Sequence, residues 1–272
     1  MSETSRTATE LLRRVISSTI SPEEFEKELW TLSKGHVRRA GKYNRGGVRI
    51  YRTRVWRRPE RPESVADLSY PPRDATPLNR ANLEGEPVFY ASAGLPASFV
   101  ECRLQKEQQV ICSEWRNTSD LILQDIGLSV DGNTSDVERI YYKIFTSTDP
   151  AMYRYSARVA RHLLSGDFIS GLLYPSVAAQ NGSHNLALKT KFVDTGLRFV
   201  NASLYHLKSV TEPFKYETEE IDFALPNRDG TLNWKGRRRQ WVLRKQGDQL
   251  KMVSNGWSWE AYDMSGALVD PE

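Results

Sequence analysis

The sequence predicts an α+β fold, in which helices and strands are mixed without a regular alternation. Apolar residues recur with a helical period near the N-terminus and over residues 149–164. Short apolar runs typical of strands lie between these segments and again after residue 206. Strict alternation of strand and helix would favour a doubly wound parallel sheet, and the pattern does not show it. With 272 residues, 39% of them hydrophobic, the chain can bury a core in one large or two small domains.

The first 47 residues are predicted to form a helical extension that ends in a basic loop. Leu11 and Val15 belong to an apolar stripe with helical spacing over residues 8–19. Ser21, Pro22 and Glu24 are typical of a helix start, because they supply an N-cap, a first-turn proline and a capping-box acid. We therefore expect a second helix that runs to about residue 33.

Residues 48–210 are predicted to form the central domain, and residues 211–272 a β-hairpin-rich C-terminal extension. The alternation that starts at Val48 predicts a strand, and five prolines make residues 58–78 a long irregular connection. The tail carries turn signals at residues 227–230 and 255–256. The remaining predicted elements are strands at 87–91, 108–113, 119–128, 169–174 and 185–188, and helices at 97–104 and 149–164.

Positive charge is concentrated in one stretch, although the net charge of the chain is only +4. Residues 31–59 contain ten basic residues and no acidic residue. Such a segment attracts anions, above all the phosphates of a nucleic acid or a dinucleotide. A solvated basic face that balances acidic neighbours explains the same pattern equally well. The ten residues are Lys34, Arg38, Arg39, Lys42, Arg45, Arg49, Arg52, Arg54, Arg57 and Arg58.

The common catalytic motifs are absent from the sequence. The four histidines are scattered, and neither a zinc-binding spacing nor a phosphate-binding glycine loop nor a nucleophile elbow occurs. Cys102 and Cys112 form no disulfide framework, and a Cys–His nucleophile is disfavoured because Cys102 is predicted to face the core. No apolar run reaches the ~18 residues of a membrane span, and the N-terminus lacks the pattern of a secretory signal. We expect a cytoplasmic protein without a metal.

Several polar residues lie in apolar or turn-like settings, and each has an ordinary structural explanation when taken alone. Arg52 fits an exposed strand residue, and Glu101 fits a solvated acid on a helix. Tyr90 fits a core residue with a satisfied hydroxyl, and Ser176 fits a turn. Arg80 follows the proline-rich connection, within the run Asn79-Arg80-Ala81-Asn82.

Taken together, these positions resemble the RES domain, which is best known as the toxin of bacterial RES–Xre toxin–antitoxin pairs. The resemblance covers about residues 48–210 and is most specific in its spacing, ten residues from Arg80 to Tyr90 and eleven from Tyr90 to Glu101. The glycine that precedes the motif arginine in the family is Asn79 here, and asparagine tolerates left-handed dihedral angles. The matching motifs are Tyr51-Arg52, Asn79 to Asn82 with Gly85, Val88-Phe89-Tyr90, Ala97 to Glu101, Gly171 to Ser176 and Asn185 to Leu188.

The resemblance implies a compact mixed-sheet core similar to that of ADP-ribosyltransferase toxins. It also implies an enzyme that degrades NAD, by phosphorolysis or hydrolysis of the nicotinamide–ribose bond, as a toxin or a defence effector. NAD is then a substrate, inorganic phosphate is a co-substrate in the phosphorolytic case, and no cofactor or metal is bound. The expected protein partner is an Xre-type antitoxin, and self-association is left open. The resemblance assigns catalysis to Arg80, Tyr90, Glu101 and Ser176, and substrate binding to Arg52, Asn82 and Asn185.

The chemistry of these residue types suits the cleavage of NAD. The reaction passes through an oxocarbenium-like state, which the carboxylate of Glu101 can stabilise. Arg52 and Arg80 can bind the pyrophosphate, Tyr90 offers a flat surface for the nicotinamide ring, and Ser176 can bind the carboxamide or the phosphate. Nicotinamide is already a cationic leaving group, so no histidine is required as a general acid.

Two other functions stay open at this point. ADP-ribosyl transfer to a protein would use the same residues and differ only in the acceptor. A nucleic-acid-binding module would instead use the basic segment, residues 34–58, where the aromatic residues needed for base stacking are few.

Overall fold

A computed structural model describes residues 3–36, 38–127, 134–178, 183–211, 215–238, 240–245, 248–254, 259–262 and 268–269. Within them the helices are α1 (Glu3–Ile16), α2 (Pro22–Leu32), α3 (Leu95–Glu101), α4 (Asp136–Phe145), α5 (Tyr153–Leu163) and α6 (Thr190–Gly196). The strands are β1 (Ala40–Tyr43), β2 (Arg49–Trp56), β3 (Val88–Ser92), β4 (Gln109–Asn117), β5 (Leu121–Asp125), β6 (Gly171–Pro175), β7 (His184–Lys189), β8 (Leu197–Thr211), β9 (Lys215–Pro226), β10 (Leu232–Trp234), β11 (Gln240–Lys245), β12 (Asp248–Ser254), β13 (Trp259–Tyr262) and β14 (Leu268–Val269).

The mixture of helices and strands confirms the predicted α+β class. The chain divides into two compact units, each assembled from three stretches of sequence. The first unit consists of Met1–Arg49, Ser69–Ala97 and Arg116–Arg198, and the second of Ile50–Leu68, Ser98–Trp115 and Phe199–Glu272. The domain limits predicted from the sequence, after residues 47 and 210, remain a prediction.

The strands of the first unit lie in the order β1-β5-β6-β7-β3. β5 and β6 are parallel and the other neighbours are antiparallel, so the sheet is mixed, as predicted. Gly171 begins β6 where a side chain would not fit, since a Cβ there would lie 2.6 Å from the carbonyl oxygen of Ala187. The glycine therefore allows β6 and β7 to approach each other.

Four helices of the first unit share one hydrophobic core. α1 and α2 pack against each other and against α4 and α5, respectively. Leu11, Phe25 and Tyr155 lie in this core with at most 2% of their surface exposed. The Tyr155 hydroxyl donates to the carbonyl of Ile20 at 2.7 Å, so the polar tip of this buried ring is satisfied. The N-terminal helices are thus part of the same core as the later helices.

Helix α4 is not predicted from the sequence, although its start carries a recognisable signal. Ser135 and Glu138 form a capping box: the Ser135 hydroxyl accepts from the Glu138 amide at 3.2 Å, and the Glu138 carboxylate accepts from the Ser135 amide at 2.8 Å. Helix α6 is also missed. The predicted helix at 149–164 begins with a 3-10 turn (Pro150–Met152), and α5 follows this turn. Helix α1 ends at Ile16, and Ser18 beyond it has a φ of 54°, which is not helical.

Five further strands lie in the order β2-β4-β8-β9-β10, and most of their residues belong to the second unit. β9 and β10 form an antiparallel hairpin, in which the Asn227 amide donates to the carbonyl of Thr231 at 2.8 Å. Gly230 has a φ of 83° in this turn, which confirms the predicted turn at residues 227–230. The turn predicted at Asn255-Gly256 lies outside the described residues. A separate antiparallel sheet has the order β11-β12-β13-β14.

A buried histidine on α5 makes the stability of the helical core depend on pH. His162 is fully buried, and its Nε2 atom lies 2.8 Å from Nη2 of Arg38. A guanidinium can only donate, so Nε2 accepts and the imidazole is neutral. Burial first, and then the positive charge of Arg38, lower the pKa of His162 from 6.5 to about 4.

We expect the free energy of unfolding to decrease as the pH falls from 6.5 to about 4. In this window the unfolded chain binds a proton that the folded chain does not, so stability is lost by up to about 1.4 kcal/mol per pH unit. Urea unfolding at a series of pH values measures the slope. The variant His162→Gln keeps an acceptor for Arg38 but does not titrate, and it should show a flatter profile. Equal slopes in both proteins would contradict this assignment.

Candidate active site

The motif arginine lies in a closed turn formed by residues 79–82. The amide of Asn79 donates to the carbonyl of Asn82 at 3.1 Å, and the amide of Asn82 donates back at 3.3 Å. The Asn79 side chain accepts from the amide of Arg80 at 2.7 Å. Asn79 has a negative φ, so the turn forms without the left-handed conformation that would require glycine. The replacement of the family's glycine by Asn79 is therefore accommodated locally.

The hydroxyl of Tyr90 anchors this turn to β3. It donates to Oδ1 of Asn82 at 2.7 Å and accepts from the amide of Ala81 at 2.8 Å. The amide nitrogen of Asn82 in turn donates to the carbonyls of Pro77 and Leu83, both at 2.8 Å. Asn82 is buried, and its side chain serves the turn with both its oxygen and its nitrogen. The hydroxyl proton of Tyr90 is therefore committed to Asn82, while its ring is partly buried against the hydrophobic core.

The side chain of Arg80 reaches from the turn to the end of α4. Its Nη1 atom donates to the carbonyl of Phe145, the last residue of α4, and to the carbonyl of Ser147 at 3.1 Å. Its guanidinium carbon lies 5.1 Å from the ring centre of Tyr153. An arginine that binds the last carbonyls of a helix satisfies groups that have no partner within the helix. Nη2 and Nε make no hydrogen bond to any described residue.

The strands next to β3 carry the other predicted residues of the first unit. Asn185 on β7 is buried and lies opposite Ser92 of β3 and Tyr174 of β6. The Ser92 hydroxyl donates to Oδ1 of Asn185 at 2.7 Å. Tyr90 lies two residues before Ser92, so both side chains and Asn185 point to one face of the sheet. Ser176 is buried just after β6, and its amide donates to the carbonyl of Ser183 at 2.8 Å.

Arg52 and Glu101 belong to the second unit. Arg52 lies on β2 and is half-buried, and its carbonyl accepts from the hydroxyl of Ser113 at 3.2 Å. Glu101 is the last residue of α3 and is exposed; the helix predicted at 97–104 is shorter and ends there. A carboxylate at the C-terminal end of a helix is unfavourable for the helix dipole, so helix stability does not explain its presence.

The end of α3 is tied to β2 through the residues beside the predicted site. The Ser98 and Thr53 hydroxyls lie 2.8 Å apart, and Sγ of Cys102 donates to the carbonyl of Thr53 at 3.1 Å. Burial, reinforced by the second cysteine, raises the pKa of Cys102 to about 12; Arg52 lowers it and Glu101 raises it. The thiol is therefore protonated at neutral pH and is a poor nucleophile. Arg52 and Glu101 therefore both influence the pKa of the same thiol.

Several residues of the basic segment make contacts within their own unit. Arg38 donates to the carbonyl of His162 at 3.1 Å, and Arg39 forms an ion pair with Glu138 at 2.7 Å. Other contacts follow the same pattern: Lys42 pairs with Asp120 at 2.8 Å, and Arg54 donates to the carbonyl of Asp67 at 2.8 Å. These contacts favour the explanation in which the basic residues balance acidic and carbonyl groups of the protein itself, over a surface for nucleic acid.

A family model described as RES domain matches residues 53–207, more than half of the chain. The chain belongs to the RES domain family. The RES match includes six of the seven predicted site residues, and Arg52 directly precedes it. A comparison with curated proteins finds no match.

Two features are not found among the described residues of the RES chain. Histidine, cysteine, aspartate and glutamate side chains form no group of three or more that could hold a metal ion. None of the described helices combines the length and the apolar character that crossing a membrane requires.

Ser92 and Tyr153, which contact predicted site residues, are not predicted from the sequence, because nothing in their local pattern marks them.

Replacement of Tyr90 by phenylalanine should loosen the turn that carries Arg80. The variant Tyr90→Phe removes the partner of two buried groups, the Ala81 amide and the Asn82 oxygen, so the free energy of unfolding should fall by about 1–3 kcal/mol. Chemical denaturation measures the change. Tyr43→Phe is the matched control, since the exposed Tyr43 hydroxyl makes no hydrogen bond to the described residues. The assignment is wrong if the two variants lose the same stability.

Proposed function

We propose that this RES chain is an enzyme that cleaves the nicotinamide–ribose bond of NAD, by phosphorolysis or hydrolysis, as a toxin or a defence effector. The observation that carries the proposal is the family match over residues 53–207, within which Arg80, Tyr90 and Glu101 keep the spacing of the motif. The hydrogen bonds from Tyr90 to the turn beside Arg80 support it, because they give two motif residues a defined mutual position. An Xre-type antitoxin is the partner that the family implies.

The proposed reaction breaks the bond between the anomeric carbon of the ribose and the ring nitrogen of nicotinamide. The electron pair of this bond stays on the ring nitrogen and neutralises its positive charge, so nicotinamide leaves without accepting a proton. The anomeric carbon then forms a bond with an oxygen of phosphate or of water, and a water nucleophile releases its proton to solvent. Charge stabilisation and orientation are thus the main tasks of the protein.

In the first unit, we assign the anionic part of NAD to Arg80. Its Nη1 atom is held by carbonyls, which leaves Nη2 and Nε for charge-assisted bonds to the pyrophosphate. The ring of Tyr90 provides the apolar surface for nicotinamide. Ser176 and Asn185 are assigned to polar groups of the substrate. Asn82, expected from the resemblance to bind substrate, is proposed to act through the turn, because its amide is used there.

In the second unit, we assign stabilisation of the oxocarbenium-like state to Glu101. Its carboxylate is exposed at the end of α3 and can approach a bound ribose, either beside the anomeric carbon or at the hydroxyl groups. Arg52 is assigned to the phosphates as a second cation. Neither role requires a histidine or a metal ion.

The first experiment follows nicotinamide release and the ribose product by chromatography, with purified protein and NAD, in the presence and absence of phosphate. Release that needs phosphate establishes a phosphorylase, and release without it establishes a glycohydrolase. Glu101→Ala should reduce release to background, whereas Glu60→Ala, which removes another exposed glutamate of the second unit, should retain it. Wild-type activity in Glu101→Ala would reject its role. Release that needs an added protein acceptor would instead identify ADP-ribosyl transfer.

Arg80→Ala should weaken the binding of NAD by about 2–4 kcal/mol, because the pyrophosphate loses a charge-assisted partner. Calorimetric titration in the Glu101→Ala background measures the affinity while NAD remains intact. Arg73→Ala removes an exposed arginine of the first unit and should leave the affinity unchanged. Since Arg80 also caps α4, thermal unfolding is measured on the same samples. An unchanged affinity in a folded Arg80→Ala protein would reject the proposed contact.

A further inference from the structure

We infer that Tyr153 is a positioning residue for NAD, which acts by orienting the guanidinium of Arg80. This inference rests on the proposed function and adds a residue that lies outside every motif of the resemblance. Tyr153 is the first residue of α5 and is half-buried. Its ring centre lies 5.1 Å from the guanidinium carbon of Arg80, within the range of a cation–π contact.

The geometry around Arg80 shows why the ring is needed. The two carbonyls at the end of α4, of Phe145 and Ser147, both bind the same nitrogen, Nη1. Bonds to a single nitrogen restrain one corner of a planar guanidinium, and they act at a distance from the other two nitrogens. The ring of Tyr153 supplies a second restraint, so that Nη2 and Nε keep one orientation. An anion that binds in a bidentate manner needs two donors in a defined plane.

All of these restraints come from the connection between α4 and α5 and from the helix ends beside it. Phe145 ends α4, Ser147 follows it, and Tyr153 begins α5, so this connection holds Arg80 by two carbonyls and one ring. The Tyr153 hydroxyl makes no hydrogen bond to any residue that the structure describes. The aromatic ring is therefore the functional part of this side chain, and phenylalanine should replace it.

The test compares steady-state kinetics with NAD for the wild type and three single variants. Tyr153→Leu removes the ring and should raise the KM for NAD about tenfold with a smaller change in kcat, whereas Tyr153→Phe should stay within about twofold. The matched control is Arg154→Leu, which removes a cation–π contact of the same length, between Arg154 and Tyr155, from the same helix. It should leave KM unchanged. In an Arg80→Ala background, Tyr153→Leu should have no further effect on KM.

Each outcome either supports or overturns the inference. An unchanged KM in Tyr153→Leu overturns it and leaves the proposed function intact. Equal losses in Tyr153→Leu and Tyr153→Phe assign the role to the hydroxyl and also overturn it. Loss of kcat that follows the loss of folded protein, seen by thermal unfolding, indicates a merely structural role. Tyr153→Met replaces Tyr153→Leu if the latter does not fold. A wild type that releases no nicotinamide contradicts the proposed function itself, before any variant is compared.

Discussion

Two hydrogen bonds of the Tyr90 hydroxyl hold the turn at residues 79–82, and the position of Arg80 depends on them. From this turn the arginine extends to the carbonyls at the end of α4, so a strand, a turn and a helix meet through two side chains. α4 packs against α1 and α5 within a shared core. The N-terminal helices, which lie outside the RES match, therefore support the element on which the motif arginine rests.

Arginines of the first unit are used repeatedly to satisfy backbone carbonyls. Arg38 binds the carbonyl of His162, Arg39 that of Gly127 at 2.6 Å, and Arg80 those of Phe145 and Ser147. A carbonyl at a helix end or in a buried loop needs a donor, and the guanidinium has five N–H groups in a rigid arrangement. A high density of arginine in a sequence therefore does not measure affinity for nucleic acid. In this chain, Arg38, Arg39, Lys42 and Arg54 of the basic segment contact carbonyl or carboxylate groups of the protein itself.

Patterns that depend on neighbouring residues predicted several local structures correctly. They did not predict contacts between residues that lie far apart in the sequence. The cap at Ser21, the turn at residues 227–230 and the motif spacing depend on neighbours along the chain, so they could be recognised. The bond between Arg80 and Phe145 joins residues 65 positions apart, and no sequence pattern encodes it. Helices α4 and α6 are not predicted, although the start of α4 carries a local signal, the capping box at Ser135.

The proposed role of Glu101, stabilisation of a cationic transition state, must account for the exposure of its carboxylate. Two unit charges ~4 Å apart attract each other by only about 1 kcal/mol in water, but by about 4 kcal/mol at an effective dielectric constant near 20. An exposed carboxylate therefore contributes little until water is excluded from it. In the proposed reaction the substrate excludes this water itself, since a nicotinamide ring and a ribose that covered Glu101 would lower the local dielectric constant on binding. Under the proposed function, binding and catalysis are therefore linked, because the bound substrate determines how strongly the carboxylate acts.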